Sequence, residues 1–319
     1  MNPQDTRSIL TIALMAAFAD GMNDDREREA VKRVVDSLGA DAGVDLPALY
    51  AQVLASKPDL AQVAGTLQSP ESKQLAYEMA VGICEADGSR GPAESAFLAQ
   101  LAADLQLPTN VASHVHTTAD ELSQQAAPAG SSASVAPAAG TILGKASMTD
   151  AEMDDVILKA SITNAAIELL PESIATMAII PLQMRLVYRI GRSFGYPMDT
   201  SNAKDFLATL GVGLTGQYLE QFGRKLLGGL LGGLGGGLGR TIGRQVASSG
   251  MSFATTYAIG RVAQRYYAAG RSLDAEALKR AFASMLEEAR GLAPRYQQQI
   301  AQAAQSIDTR SLASLVRQV

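Results

Sequence analysis

Four acidic residues occupy matching positions in two similar stretches of the chain. The stretches "FADGMNDDREREAVKRVVDSL" and "EADGSRGPAESAFLAQLAADL" align without a gap, so that Asp20 falls on Asp87 and Glu27 falls on Glu94. Each stretch predicts a helix, a tight turn at a glycine and a second helix. If the two hairpins pack as a pair, the four carboxylates converge on one place.

Two interpretations explain these carboxylates. Two of them about 5 Å apart repel by roughly 3 kcal/mol at an effective dielectric constant near 20, and a divalent cation would relieve this repulsion. Oxygen ligands favour Ca²⁺, Mg²⁺ or Mn²⁺ over Zn²⁺. Alternatively, Glu27 and Glu94 lie at the third position of helices that begin after Asp24 and Gly91, from which a glutamate reaches back to the amide of the cap. The residues alone leave both interpretations open.

The doubled "ADG", with a glutamate seven residues after each aspartate, resembles the TerB-like tellurite-resistance domain over residues 5 to 108. This resemblance implies an all-α bundle whose acidic cluster binds metal and which belongs to stress-response systems at the membrane surface. The matching residues are Asp20, Glu27, Asp87 and Glu94. The second copy departs from the first at Arg90, which places a basic residue beside the predicted cluster.

Composition favours an all-α protein. Of 319 residues, 47% are hydrophobic and only 5% are aromatic, with no tryptophan. The net charge of −5 gives no general attraction to nucleic acid, so no nucleic-acid partner is expected. Cys84 is the single cysteine and reads as a small buried hydrophobe, while His114 and His116 read as surface residues. No catalytic set of residues is recognisable, so we expect no enzymatic activity.

The chain divides by composition into three ranges. Residues 1–112 carry the acidic repeat, and residues 113–149 are rich in Ala, Ser, Pro and Gly, as is typical of a flexible linker. Residues 150–319 return to helical periodicity and predict a second helical domain.

A glycine ridge marks the second domain. Between Leu226 and Gly239 the chain has no charged residue, yet as a helix this stretch is about 21 Å long against a hydrocarbon core of about 30 Å. Glycines repeated every three or four residues give one helix face that a neighbouring backbone approaches closely, in water or in lipid. This predicted packing face consists of Gly228, Gly232, Gly236, Gly239 and Gly243. A compact bundle and a membrane-associating domain both fit the pattern.

Residues 154 to 286 also resemble the helical domain of unknown function of YcjF-type membrane proteins, which is found beside Era-type GTPase domains too. The resemblance rests on "PLQMRLVYRIGRSFGY" and "TTYAIGRVAQRYY". It implies membrane association and partnership with a GTPase, and it supplies no catalytic residues.

These observations predict a non-enzymatic stress-response adaptor. An acidic helical module, with a divalent cation as its candidate ligand, would be joined to a domain that associates with a membrane or with a second copy. The expected location is the cytoplasm, at the inner face of the membrane. The alternative is a membrane-remodelling or pore-forming protein that oligomerises through its glycine ridge, and a third possibility is a carboxylate-bridged metallohydrolase.

Overall fold

The computed structural model describes residues 3–21, 32, 35, 45–86, 90–125, 146–170, 173–211, 214–227, 238–308 and 312–318. Within these residues the chain forms α-helices and short 3₁₀ segments and no strand, so the predicted all-α class is confirmed. The helices are α1 Pro3–Ala17, α2 Leu46–Ser56, α3 Leu60–Gly65, α4 Pro70–Cys84, α5 Pro92–Asp104, α6 Thr109–Gln125, α7 Asp150–Glu168, α8 Ile179–Ser193, α9 Thr200–Thr209, α10 Leu214–Leu227, α11 Leu238–Ala268, α12 Ala275–Leu292, α13 Gln297–Ser306 and α14 Leu312–Gln318. The 3₁₀ segments are Ile174–Ala178 and Ala293–Tyr296.

The chain folds into two compact units, each built from several segments. Unit 1 comprises Met1–Glu121, Pro171–Met177 and Gly213–Ile242. Unit 2 comprises Leu122–Leu170, Ala178–Val212 and Gly243–Val319. The ranges predicted from composition were contiguous, whereas here α10 packs on α1 and α4 of unit 1. An amphipathic helix packs where its apolar face finds a partner, whatever its position in the chain.

Unit 1 is built around the pair α1 and α4. Beyond their polar first turns, both helices are buried on almost every side, as expected of segments that are apolar all round. Helix α4 begins at Pro70 and is capped by Ser69, whose hydroxyl accepts a hydrogen bond from the Ser72 N–H at 3.1 Å. On α4, Gly82 allows the ring of Phe222 from α10 to come so close that a Cβ at position 82 would lie 2.7 Å from the ring.

The start of the predicted linker is helical and belongs to α6. Residues 113–149 were expected to be a flexible tether, yet residues 113–125 belong to α6. Val115 and Ala119 are four residues apart, and both are buried in unit 1 with 1% and 4% of their surface exposed. One packed helical face therefore overrides the polar composition of this segment. Residues 126–145 of the predicted linker lie outside the described residues.

Unit 2 contains a buried polar seam between α7 and α11. The side-chain amide of Asn164 donates to the Thr256 hydroxyl at 2.8 Å, and the Ser252 hydroxyl donates to the carboxylate of Glu168. The partner of Glu168 lies four residues before the partner of Asn164, so the two helices run antiparallel here. The amide of Gln183 on α8 also donates to Thr256, at 3.2 Å. Buried polar groups are tolerated when they are paired in this way.

The predicted glycine ridge is only partly described. Gly228, Gly232 and Gly236 lie outside the described residues, and Gly239 and Gly243 lie in α11. The packing of this ridge stays a prediction. Among the helices that the structure describes, none combines the length and the apolar character needed to cross a bilayer.

We expect Gly82→Ala to lower the free energy of unfolding of the protein by about 1–2 kcal/mol, because the clash with Phe222 outweighs the better helix propensity of alanine. Chemical denaturation measures this change. Gly65→Ala is the matched control, since a Cβ at this position meets no atom within 4 Å, and it should leave stability equal or raise it by up to about 1 kcal/mol. Equal effects of both substitutions would contradict the close approach.

We expect Thr256→Val to cost about 1–3 kcal/mol, because Asn164 and Gln183 lose a shared acceptor inside the core. Thr209→Val is the control: its half-buried hydroxyl donates to the carbonyl of Asp205 within α9, and its loss should cost less than about 0.5 kcal/mol. Thermal unfolding followed by circular dichroism compares the two. A Thr256→Val protein as stable as the wild type would show that the seam is not a stabilising network.

Candidate functional site

The end of α4 carries a charged cluster held together by Arg90. The Arg90 Nε donates to Glu85 Oε1 at 2.5 Å, and its Nη2 donates to Asp120 Oδ1 at 2.8 Å. The Glu85 side chain is only 9% exposed, whereas Asp120 is 53% exposed. A single guanidinium with several donors can satisfy both carboxylates at once. Arg90 thereby joins the end of α4 to helix α6.

Two of the four predicted site residues, Asp20 and Glu94, are described. Asp20 is exposed in the turn after α1, where Gly21 adopts a φ of +89° as the predicted tight turn requires. Glu94 lies in the first turn of α5 and accepts a hydrogen bond from the Gly91 N–H at 2.6 Å. This is the predicted capping contact, which is confirmed. Glu27 and Asp87 lie outside the described residues.

Asp20 and Glu94 share their surroundings with the thiol of Cys84. Burial raises the pKa of Cys84 most, the negative charges of Glu94, Glu85 and Asp20 raise it further, and Arg90 opposes them. Both carboxylates therefore act on the same buried thiol. Cys84 is 1% exposed, which confirms its predicted burial, and its high pKa keeps the thiol protonated and unreactive.

The charge balance of the cluster differs from that of a metal centre with carboxylates alone. Among the described residues, no three His, Cys, Asp or Glu side chains are grouped so that they could hold a metal ion. Arg90 provides positive charge in the same place. The metal site of Asp20, Glu27, Asp87 and Glu94 stays a prediction, since only two of its members are described. The sequence singled out Arg90 as a departure between the repeats, but nothing in its pattern pointed to Glu85 or Asp120.

A tyrosine and histidine pair borders the cluster. The Tyr77 hydroxyl lies 2.6 Å from His116 Nε2, and the two rings meet edge to face. Tyr77 is 1% exposed and His116 is half-buried, so His116 is not the surface residue that was predicted, whereas His114 is exposed. Burial and the nearby charge of Arg90 lower the pKa of His116, and Asp120 opposes them. The helical spacing of Val115 and Ala119 is the signal that could have placed His116 at the packed face.

The Glu94 variants distinguish a cap from a metal ligand. We expect Glu94→Gln to change the free energy of unfolding by less than about 0.5 kcal/mol, because glutamine keeps an oxygen for the Gly91 amide, and Glu94→Ala to cost about 0.5–2 kcal/mol. Thermal unfolding with and without added Ca²⁺, Mg²⁺ or Mn²⁺ provides the measurement. A cation-dependent rise in melting temperature that Glu94→Gln abolishes would contradict a role limited to capping.

Sequence comparisons bear on the first third of the chain. Residues 1–119 match a family model described as a protein of unknown function (DUF533). This range contains α1 to α5, most of α6 and the charged cluster except Asp120, and it includes residues 5 to 108, on which the TerB-like resemblance rests. Comparisons with curated proteins and with solved structures found no match. The resemblance of residues 154–286 to YcjF-type domains stays a prediction.

Proposed function

We propose that this protein is a non-enzymatic stress-response adaptor that joins an acidic helical module to a helical domain that associates with anionic membrane surfaces. The first part of the proposal draws on the charged cluster of unit 1 and on the TerB-like resemblance of the range that contains it. The second part draws on the surface of α8 in unit 2.

Helix α8 carries the observation on which the proposal mainly rests. Arg185, Arg189 and Arg192 recur at four and then three residues, which sets them on one face of the helix. The helix contains no acidic residue, and Arg189 and Arg192 are exposed. The opposite face, which includes Val187, is buried in unit 2. In a protein of net charge −5, this helix concentrates three positive charges.

A basic helix face suits an anionic lipid surface. Each Lys or Arg near such a surface contributes about 1 kcal/mol of attraction at physiological ionic strength. The Arg185 guanidinium lies 5.9 Å from the ring centre of Tyr188 on the same helix. Arginine and tyrosine both combine an apolar body with a polar end, a combination suited to the headgroup region of a bilayer. We therefore assign membrane attachment to the surface of α8 and not to a spanning helix.

The acidic module is the part of the adaptor that we expect to sense or bind something other than lipid. Its carboxylates are already partly neutralised by Arg90, so a protein partner with basic groups would compete with an internal cation. A GTPase partner and self-association belong to the proposal through the YcjF-type resemblance alone.

Co-sedimentation with vesicles tests the membrane part of the proposal. We expect the full chain to bind vesicles that contain phosphatidylglycerol, and Arg189→Glu/Arg192→Glu to weaken binding by at least about 2 kcal/mol, or roughly thirtyfold. The matched control is Lys279→Glu/Arg280→Glu, which makes the same change of charge at exposed positions of α12.

Three outcomes of this experiment would contradict the proposal. Equal loss of binding in both variants would show that binding depends on the net charge of the protein and not on the surface of α8. Equal binding to neutral phosphatidylcholine vesicles would remove the electrostatic basis. Retention in a carbonate-washed membrane pellet would favour the membrane-remodelling or pore-forming alternative.

A further inference from the structure

Helix α6 contacts unit 1 through polar groups and through a buried apolar face. Its polar contacts include the hydrogen bond between His116 and Tyr77 and the ion pair between Asp120 and Arg90. His116 and Asp120 lie one helical turn apart on α6. Val115, Ala119 and Leu122 of the same helix are buried, with 4% or less of their surface exposed. A change of charge at one of the polar contacts can shift the equilibrium between the docked and the undocked helix.

His116 is the group whose change of charge the docked helix accommodates least well. Its Nε2 faces the Tyr77 hydroxyl, and its Nδ1 is buried without a hydrogen-bond partner among the described residues. A neutral imidazole leaves only this one nitrogen unsatisfied. An imidazolium must donate from both nitrogens, so that protonation would bury an N–H without an acceptor.

The charged groups around His116 do not compensate for this. Arg90, in the turn before α5, places a positive charge nearby, and Asp120 on α6 offers a negative charge that is already bound to Arg90. Helix α4 contributes Tyr77 and Cys84, both neutral at pH 7, and Glu85, which is bound to Arg90 as well. Glu94 of α5 is engaged by the Gly91 amide. Among the described groups that border His116, no carboxylate is therefore left to receive the buried N–H of an imidazolium.

We propose that α6 is an acid-released latch, in which protonation of His116 undocks the helix from α4. The direction follows from linkage. The pKa of docked His116 lies below its ordinary value of about 6.5, so the undocked helix binds more protons in this range. Docking is therefore complete above pH 6.5 and weakens as the pH falls from there to the pKa of the docked state. One proton changes the opening equilibrium by at most about tenfold per pH unit.

Release of α6 would lengthen the connection between α5 and α7. Helix α6 has 17 residues and a length of about 25 Å, and it leads directly into residues 126–145. Its release would add this length to the segment between α5 and α7. This inference stands on the contacts of α6 alone and is independent of the proposed membrane binding.

Hydrogen exchange of the full chain at pH values from 7.5 to 5.0 tests the latch. After correction for the intrinsic pH dependence of exchange, we expect the protection of amides in α6 to fall up to about tenfold per pH unit below 6.5, while amides of α1 keep their protection. In His116→Gln this fall should disappear, because glutamine offers Tyr77 a hydrogen-bonding group that does not titrate. His114→Gln, at an exposed position on the same helix, should behave as the wild type.

The lone thiol supplies a second readout. Cys84 lies seven residues after Tyr77 on α4 and borders the same cluster. Its labelling by 4,4′-dithiodipyridine, relative to glutathione at each pH, should accelerate below pH 6.5 in the wild type and in His114→Gln but not in His116→Gln. Persistence of the pH effect in His116→Gln would overturn the latch. If that variant fails to fold, equal loss of protection in α1 and α6 of the wild type would overturn it instead.

Discussion

The sharing of Arg90 between Glu85 and Asp120 is the interaction on which the organisation of the acidic region depends. Glu85 ends α4 almost completely buried, and a carboxylate in such a place needs a cation or several donors. Arg90 comes from the turn five residues later and reaches α6 with its other nitrogen. Removing one partner of a buried ion pair typically costs 3–5 kcal/mol, since the other charge remains uncompensated. The same residue thus sets the charge of the cluster and the position of α6.

The repeat in the sequence predicted the turns and caps of this region but not the ion pairs of Arg90. Glycines, caps and helical periodicity are local signals, so the turn at Gly21, the cap contact of Glu94 and the burial of Cys84 could be foreseen. Glu85 and Asp120 lie 35 residues apart, and no local pattern tells which cation they share. The metal site of the four repeat carboxylates stays a prediction, and the pairing of Arg90 with two other carboxylates is a finding of the structure.

Composition was a weaker guide than periodicity in the middle of the chain. The polar stretch that begins at residue 113 predicted a tether because it contains few large apolar groups, yet α6 buries three apolar side chains and makes two polar contacts. The seam of Asn164, Gln183 and Thr256 escaped prediction for a related reason, because buried polar residues interrupt the apolar pattern that marks a core.

The close approach of Phe222 to Gly82 means that the first third of the chain, taken alone, lacks part of its core. Helix α10 lies more than a hundred residues downstream, and its Phe222 covers the apolar surface of α4 at Gly82. Tyr218 of α10 donates to the carbonyl of Met177 at 2.9 Å. A fragment that stops after residue 119 would leave this surface of α4 open to solvent. Such a fragment is an incomplete core, and its bare surface would favour aggregation or capture of a foreign helix.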